Sequence, residues 1–152
     1  MSKDQFKYDS IDESSGFILF KLNLIWKEKL DTIFKKRGIT QTQYAILASL
    51  MWFDLKKEII TQQDLADHLK IEKMTLSKAI RNLEEKKLVQ RKENKIDTRS
   101  YSLSLLAAGK QLAEKVIKEV ENLDEVFFNV LSKEERKKFN SLSLKLITLN
   151  LK

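Results

Sequence analysis

The stretch that decides the fold is TQQDLADHLKIEKMTLSKAIRNLEEKKLVQRKENKIDTRSYSLSL, residues 61–105. It opens with Thr61-Gln62-Gln63-Asp64, a capping box in which a hydroxyl and a side chain three residues on satisfy each other's backbone N–H groups. Leu65, Ala66 and Leu69 then give a short helix one apolar face. A second helix is predicted over about 72–87, with Leu76, Ile80 and Leu83 spaced by four and three and Ala79 beside them. After it the period changes. Leu88–Lys92 reads as a strand, 93–98 as a polar hairpin loop, and Arg99–Leu105 alternates as a half-buried strand does. A short capped helix, a turn, a basic helix and an antiparallel hairpin describe a winged helix-turn-helix.

That order has a physical use. A helix fits the major groove of B-DNA, where base edges offer distinct donor and acceptor patterns, and a preceding helix fixes its angle on the backbone. A hairpin with a basic tip reaches phosphates or the adjacent minor groove, which attracts arginine. The charge lies where this use needs it. The chain carries a net +7, and residues 70–99 hold ten Lys or Arg against five acids. The amino-terminal end of the 72–87 helix is expected to offer free backbone N–H groups to a phosphate.

Outward from this stretch the chain reads as long helices. In 152 residues there is no proline and glycine occurs only at 16, 38 and 109. A first helix is predicted over about 14–36, capped by Ser14 or Ser15 and stopped by Lys35-Lys36-Arg37-Gly38. It carries apolar residues on more than one side, so the core wraps around it or a partner covers it. Thr40-Gln41-Thr42-Gln43 is a second capping box, followed by Tyr44, Leu47, Leu50 and Met51. Ile59-Ile60 suffices for a two-residue strand. A helix over 107–130 carries a seam of Leu112, Val116, Val120, Leu123, Phe127 and Val130. Ser132-Lys133-Glu134-Glu135 starts a last helix with Phe139, Leu142, Leu146 and Leu149 in phase. The fold class is mainly α (α+β).

Composition excludes several chemistries. Without cysteine there is no disulfide, thiolate nucleophile or thiol switch. One histidine, His68, cannot alone make a classical zinc site. No Walker A run, glycine-rich dinucleotide turn, nucleophile elbow or His-Glu zinc motif occurs, so neither an enzyme nor a cofactor is expected. No apolar run approaches the roughly 18–20 residues that span a bilayer, and acids at Asp9, Asp12 and Glu13 interrupt any signal-peptide core. A cytoplasmic location is the expectation.

The quoted stretch resembles MarR-type regulators. Thr61 through Leu69 looks like the first helix of their motif. Glu72–Lys78 and Leu83–Arg91 look like the recognition helix and first wing strand. Asp97-Thr98-Arg99-Ser100 resembles the Asp-x-Arg wing signature, and Leu103–Gly109 the second strand and the entry into the fifth helix. The resemblance spans about residues 15–150 and is specific over 61–109. It implies a homodimer whose terminal helices, residues 1–36 and 107–152, form the dimerisation region around a DNA-binding lobe at 39–106. It also implies double-stranded DNA with a pseudo-palindromic operator as partner, most often repression, and in many members release by a small aromatic or carboxylate effector. Lys70 and Lys87 stand where the family usually has glycine; a positive φ would strain either, but lysine can enter helical or 3₁₀ geometry. Leu106 replaces a capping threonine, which leaves Ser104 as the candidate cap of the fifth helix.

Site residues follow from position and resemblance together. Arg99 is the wing arginine that the resemblance places at the minor groove, with Asp97 supporting it. Thr75, Ser77 and Lys78 are candidates for bases or phosphates, and Met74 for a thymine methyl or else for packing on the neighbouring helix. Lys73, Arg81, Lys92 and Lys95 are candidates for phosphates, and Thr61 and Gln62 for the backbone through the first motif helix. Phe20, Trp26, Tyr44, Trp52 and Phe53 are the residues an effector pocket would draw on, or else ordinary core. The alternatives are a winged-helix protein-interaction module and a DNA-binding regulator without an effector.

Overall fold

The computed structural model describes residues 6–95 and 97–151. The reading of the first five residues, of Ile96 in the hairpin loop and of Lys152 lies outside the described residues. A 3₁₀ turn at Ile11–Glu13 precedes α1 (Ser15–Arg37), α2 (Gln41–Leu55), β1 (Ile60–Thr61), α3 (Gln62–Leu69) and α4 (Lys73–Glu85). Then come β2 (Val89–Glu93), β3 (Tyr101–Leu105), α5 (Ala107–Phe128) and α6 (Lys133–Asn150). The chain divides into two compact units, Met1–Ile117 and Lys118–Lys152.

Local chemistry explains where the helices start. Ser14 caps α1, accepting from the Phe17 N–H. Thr40/Gln43, Thr61/Asp64 and Ser132/Glu135 all form the reciprocal capping boxes that their spacing predicts. Each satisfies two N–H groups that the first helical turn leaves orphaned.

In the first unit the core collects Phe34 from α1, Ile46 and Leu47 from α2, and Leu65 from α3. Leu76, Ile80 and Leu83 of α4, Val89 of β2 and Val116 of α5 complete it. The α4 face is the one its spacing predicts. Phe34 stacks on Tyr44 with ring centroids 5.0 Å apart. Gln43, buried, donates from Nε2 to Asn82 Oδ1 at 2.6 Å and so ties α2 to α4. Gly109 is needed for packing: a Cβ there would lie 1.9 Å from the Leu88 carbonyl oxygen.

The hairpin gains a third strand. β1 pairs antiparallel with β3, Ile60 opposite Leu103, and the sheet order is β1-β3-β2. The predicted strand pair Ile59-Ile60 is shifted by one residue. Ile60 is buried and Ile59 is 86% exposed, because alternation sends only one of the two to the core face.

The helix ends correct the expectation for the lysines. α1, α2, α3 and α4 all stop in one kind of turn, with a residue in the left-handed region. At α1 it is Gly38, φ +66°; at the others it is Lys57, Lys70 and Lys87, with φ of +58°, +54° and +56°. Neither Lys70 nor Lys87 takes helical or 3₁₀ geometry. The reason is the hydrogen bonding that the turn satisfies: Ile39, Glu58, Ile71 and Leu88 donate their N–H groups to the carbonyls of Phe34, Phe53, Ala66 and Leu83. This is the Schellman closure, and it requires the left-handed residue whatever its side chain.

Two readings near α5 are also corrected. Ser104 does not cap it, since its hydroxyl accepts from Gln90 Nε2 at 2.9 Å. Leu106 precedes the helix instead, its N–H donated to Leu88 O and its carbonyl accepting from Lys110 N–H. Gly109, Ala113 and Val116 are the buried line of α5, and Val130 lies beyond its end, 82% exposed. Within the second unit Arg136 pairs with Asp124 and, at 3.1 Å, with Glu125, and Phe128 packs on Phe139 at 5.5 Å. Glu125, with Asp124, raises the Arg136 pKa.

Candidate nucleic-acid interface

The recognition helix α4 has two polar flanks. Lys73, Ser77 and Arg81 recur every four residues and face a groove of about 450 Å³, whose other walls are α3 and the wing. Arg99 at the wing tip lines the same groove, with Gln62 of α3 on its near side. These five predicted residues are therefore brought together. Gln62 Oε1 is buried and has no hydrogen-bond partner among the described residues.

Thr75 and Lys78 lie on the opposite flank of α4, in a hollow of about 690 Å³ shared with Thr40 and Thr42 at the start of α2 and with Lys86. Lys86 Nζ donates to the Gly38 carbonyl at 3.0 Å. Met74 lines neither hollow and is 79% exposed.

Other candidates fall elsewhere. The Thr61 hydroxyl is spent in the capping box, accepting from Asp64 N–H and donating to Asp64 Oδ2 at 2.6 Å. Lys92, one step along β2 from Arg91, lines a different hollow with Phe53, Asp54 and Ser102, as strand alternation requires. Lys95 is exposed in the hairpin loop. Asp97 supports the wing through an Asx turn, its Oδ1 accepting the Arg99 N–H at 3.0 Å.

The five aromatics have different surroundings in the single chain. Tyr44 stacks on Phe34, Phe53 meets the His68 ring edge-on at 5.4 Å, and Phe20 and Trp52 are each 56% exposed. Trp26 is half-buried.

The end of α4 departs from the sequence reading. Two of its backbone N–H groups are not open. Glu72 accepts from Met74 N–H at 2.9 Å and from Thr75 N–H at 3.0 Å, with the Thr75 hydroxyl donating as well at 3.1 Å. The Met74 and Thr75 N–H groups hold the Glu72 carboxyl below the usual glutamate range.

Arg91 is a groove cation that sequence reasoning missed, and Gln63, Ser100 and Tyr101 line the groove with it. Its Nε lies 2.8 Å from Glu84 Oε2, its own N–H donates to Glu84 Oε1 at 3.2 Å, and its guanidinium stands over the Tyr101 ring at 5.3 Å. Glu84 thereby fastens the last turn of α4 to β2. A signal was present: opposite charges seven residues apart across the helix-to-strand turn, with an aromatic diagonally opposite on β3.

Residues 35–123, more than half of the chain, match the family model described as the ArnR1-like winged-helix domain. The chain belongs to that family. This ArnR1-like chain is a MarR-type winged-helix transcriptional regulator, as the wing signature implies. It is 29% identical over 129 residues to the uncharacterized HTH-type transcriptional regulator YdcH of Bacillus subtilis (strain 168), covering 85% of this chain and 88% of that one. Among solved structures it is similar to the MepR–DNA complex of S. aureus, with a TM-score of 0.81 and 26% identity over 91% of this chain and 98% of that one. It is also similar to NadR in complex with 4-hydroxyphenylacetate, with a TM-score of 0.74 and 26% identity over 96% and 97%. Among the described residues no helix is long and apolar enough to cross a membrane.

Proposed function

We propose that this regulator is a cytoplasmic, non-enzymatic homodimer that binds a pseudo-palindromic duplex operator and represses transcription. α4 enters the major groove and the wing lies at the minor groove. The observation that carries the reading is the α3–α4–wing groove, where Lys73 and Arg81 of the helix meet Arg91 and Arg99 of the hairpin. Cations on both sides of one groove suit the phosphates that flank a helix seated in DNA. The DNA complex of MepR supports the same reading.

Residues 39–106 are the DNA-binding lobe, and 1–36 with 107–152 the dimerisation region. Ile18, Leu19, Phe20, Leu24 and Ile25 of α1 and Leu142, Leu146 and Leu149 of α6 are exposed in the single chain. Apolar faces of this size are normally covered by a partner, and a second copy is the partner that the family resemblance implies.

Control by a small aromatic carboxylate is supported by the similarity to NadR with its bound 4-hydroxyphenylacetate. A regulator without an effector is the second reading, favoured by Tyr44 and Phe53 being engaged within the chain, on Phe34 and against His68. Titrating 4-hydroxyphenylacetate into the protein–DNA complex separates the two, since release supports the first and an unchanged complex the second.

The test of the main reading is selection of duplexes from a random library, followed by anisotropy on the selected and a scrambled duplex. Binding at least about tenfold tighter to the selected duplex is expected. Equal binding to both overturns the reading.

A further inference from the structure

Of the cations Lys73, Arg81, Arg91 and Arg99 that line the groove between α3, α4 and the wing, Arg91 alone is paired with a carboxylate among the described residues. Glu84 holds it at two points, through Oε2 on Nε at 2.8 Å and through Oε1, which accepts the Arg91 backbone N–H at 3.2 Å. Tyr101, diagonally opposite on β3, lies under the guanidinium at 5.3 Å. The two paired side chains are only 27% and 26% exposed, so water screens this pair less than a surface one.

A guanidinium has five N–H donors. Glu84 takes the one on Nε, and neither Nη1 nor Nη2 donates to another group among the described residues. One face rests on a ring and one edge on a carboxylate, so the Nη pair is what Arg91 has left for a ligand. Two parallel N–H groups are the fork that matches phosphate oxygens. Ordering a long side chain is part of what binding costs, and Arg91 is already ordered in the fold. By charge alone, an acid beside a surface for a polyanion opposes binding. The hold of Glu84 on Arg91 acts in the other direction.

We propose that Glu84 is a positioning residue for DNA binding: it sets the Arg91 fork in advance for a backbone phosphate at the groove between α4 and the wing. The inference rests on the DNA-binding reading above.

The test measures anisotropy on the selected and the scrambled duplex for wild type, Glu84→Gln, Glu84→Asp, Arg91→Ala and the Glu84→Gln, Arg91→Ala double variant. Thermal melts set one temperature at which the compared proteins are all folded. Arg91→Ala is expected to weaken binding about tenfold and to make the slope of log K on log salt shallower by about 0.9. Both duplexes lose alike, because phosphate carries no sequence. Glu84→Gln is expected to weaken binding about fivefold although it removes a negative charge. In the Arg91→Ala background the same change is expected to weaken nothing. Glu84→Asp keeps the charge and draws the carboxylate back by one methylene, and a smaller loss is expected there, so the proposal stays testable if Glu84→Gln does not fold. Folded Glu84 variants that bind as tightly as wild type, or tighter, overturn the proposal alone. So does a Glu84→Gln loss of the same size with Arg91 already removed, which is what a purely structural tie gives. A wild type that does not prefer its selected duplex overturns the DNA-binding reading, and this proposal with it.

Discussion

Asp97 holds Arg99 by its backbone: the carboxylate Oδ1 accepts the Arg99 N–H at 3.0 Å. The Asp97 carbonyl accepts both the N–H and the hydroxyl of Ser100, and the Ser100 carbonyl accepts from Asn94 N–H. The wing turn is thus closed by main-chain and Asx bonds, and the Arg99 side chain lines the groove.

Different outcomes follow for the two residues. Arg99→Ala is expected to weaken operator binding by about 1–3 kcal/mol without changing the melting temperature. Asp97→Ala loosens the turn that aims the arginine and is expected to cost less, while Asp97→Asn, which keeps an acceptor, stays near wild type. Anisotropy and thermal melts on the three variants check the order.

The left-handed lysines are expected to be sites of easy stabilisation. A side chain at positive φ costs roughly 1–2 kcal/mol, and glycine removes that cost at some expense in unfolded-chain entropy. Lys57→Gly, Lys70→Gly and Lys87→Gly are each expected to stabilise the fold by roughly 0.5–1 kcal/mol. Urea unfolding of the single and triple variants measures it. Lys70→Gly also removes a charge next to the recognition helix, so its effect on DNA binding is read separately.

Glu72 gives stability a dependence on acid. Its pKa is lowered in the folded state by the Met74 and Thr75 N–H groups. A lowered carboxylate pKa means that the unfolded chain binds the proton more readily, so stability falls as pH falls. The contribution is complete above the ordinary glutamate range and is lost as pH drops through the folded value. Glu72→Gln is expected to flatten that part of the profile, which melts recorded from neutral to acid pH detect.

The apolar faces of α1 and α6 predict a dimer. Light scattering is expected to give twice the chain mass of 17.8 kDa. Leu146→Glu, at a position 64% exposed in the single chain, is expected to shift the protein towards monomer and to weaken operator binding with it.

What the sequence made legible was local. The three capping boxes and the Leu76, Ile80, Leu83 face were readable because a handful of adjacent side chains determines each. The left-handed lysines were not, because the turn is imposed by carbonyls that must be satisfied and overrides the residue's own preference. Glu72 was missed as a cap because glutamate is not among the usual cap residues. Arg91 was missed because its place depends on Glu84 and Tyr101, which only the turn and the strand register bring to it. The seam read into 107–130 is buried at Val116, half-buried at Leu112, Val120, Leu123 and Phe127 and exposed at Val130 in the single chain, while the close approach of Gly109 to Leu88 was not readable from spacing.

The most direct test of the central claim is the salt dependence of operator binding in wild type and in a Lys73→Ala, Arg81→Ala, Arg99→Ala triple variant. If the groove between α4 and the wing seats DNA, log K falls linearly with log salt in wild type. The slope is then shallower in the variant by about 0.9 for each phosphate contact removed. A folded variant with the wild-type slope and affinity would contradict the account.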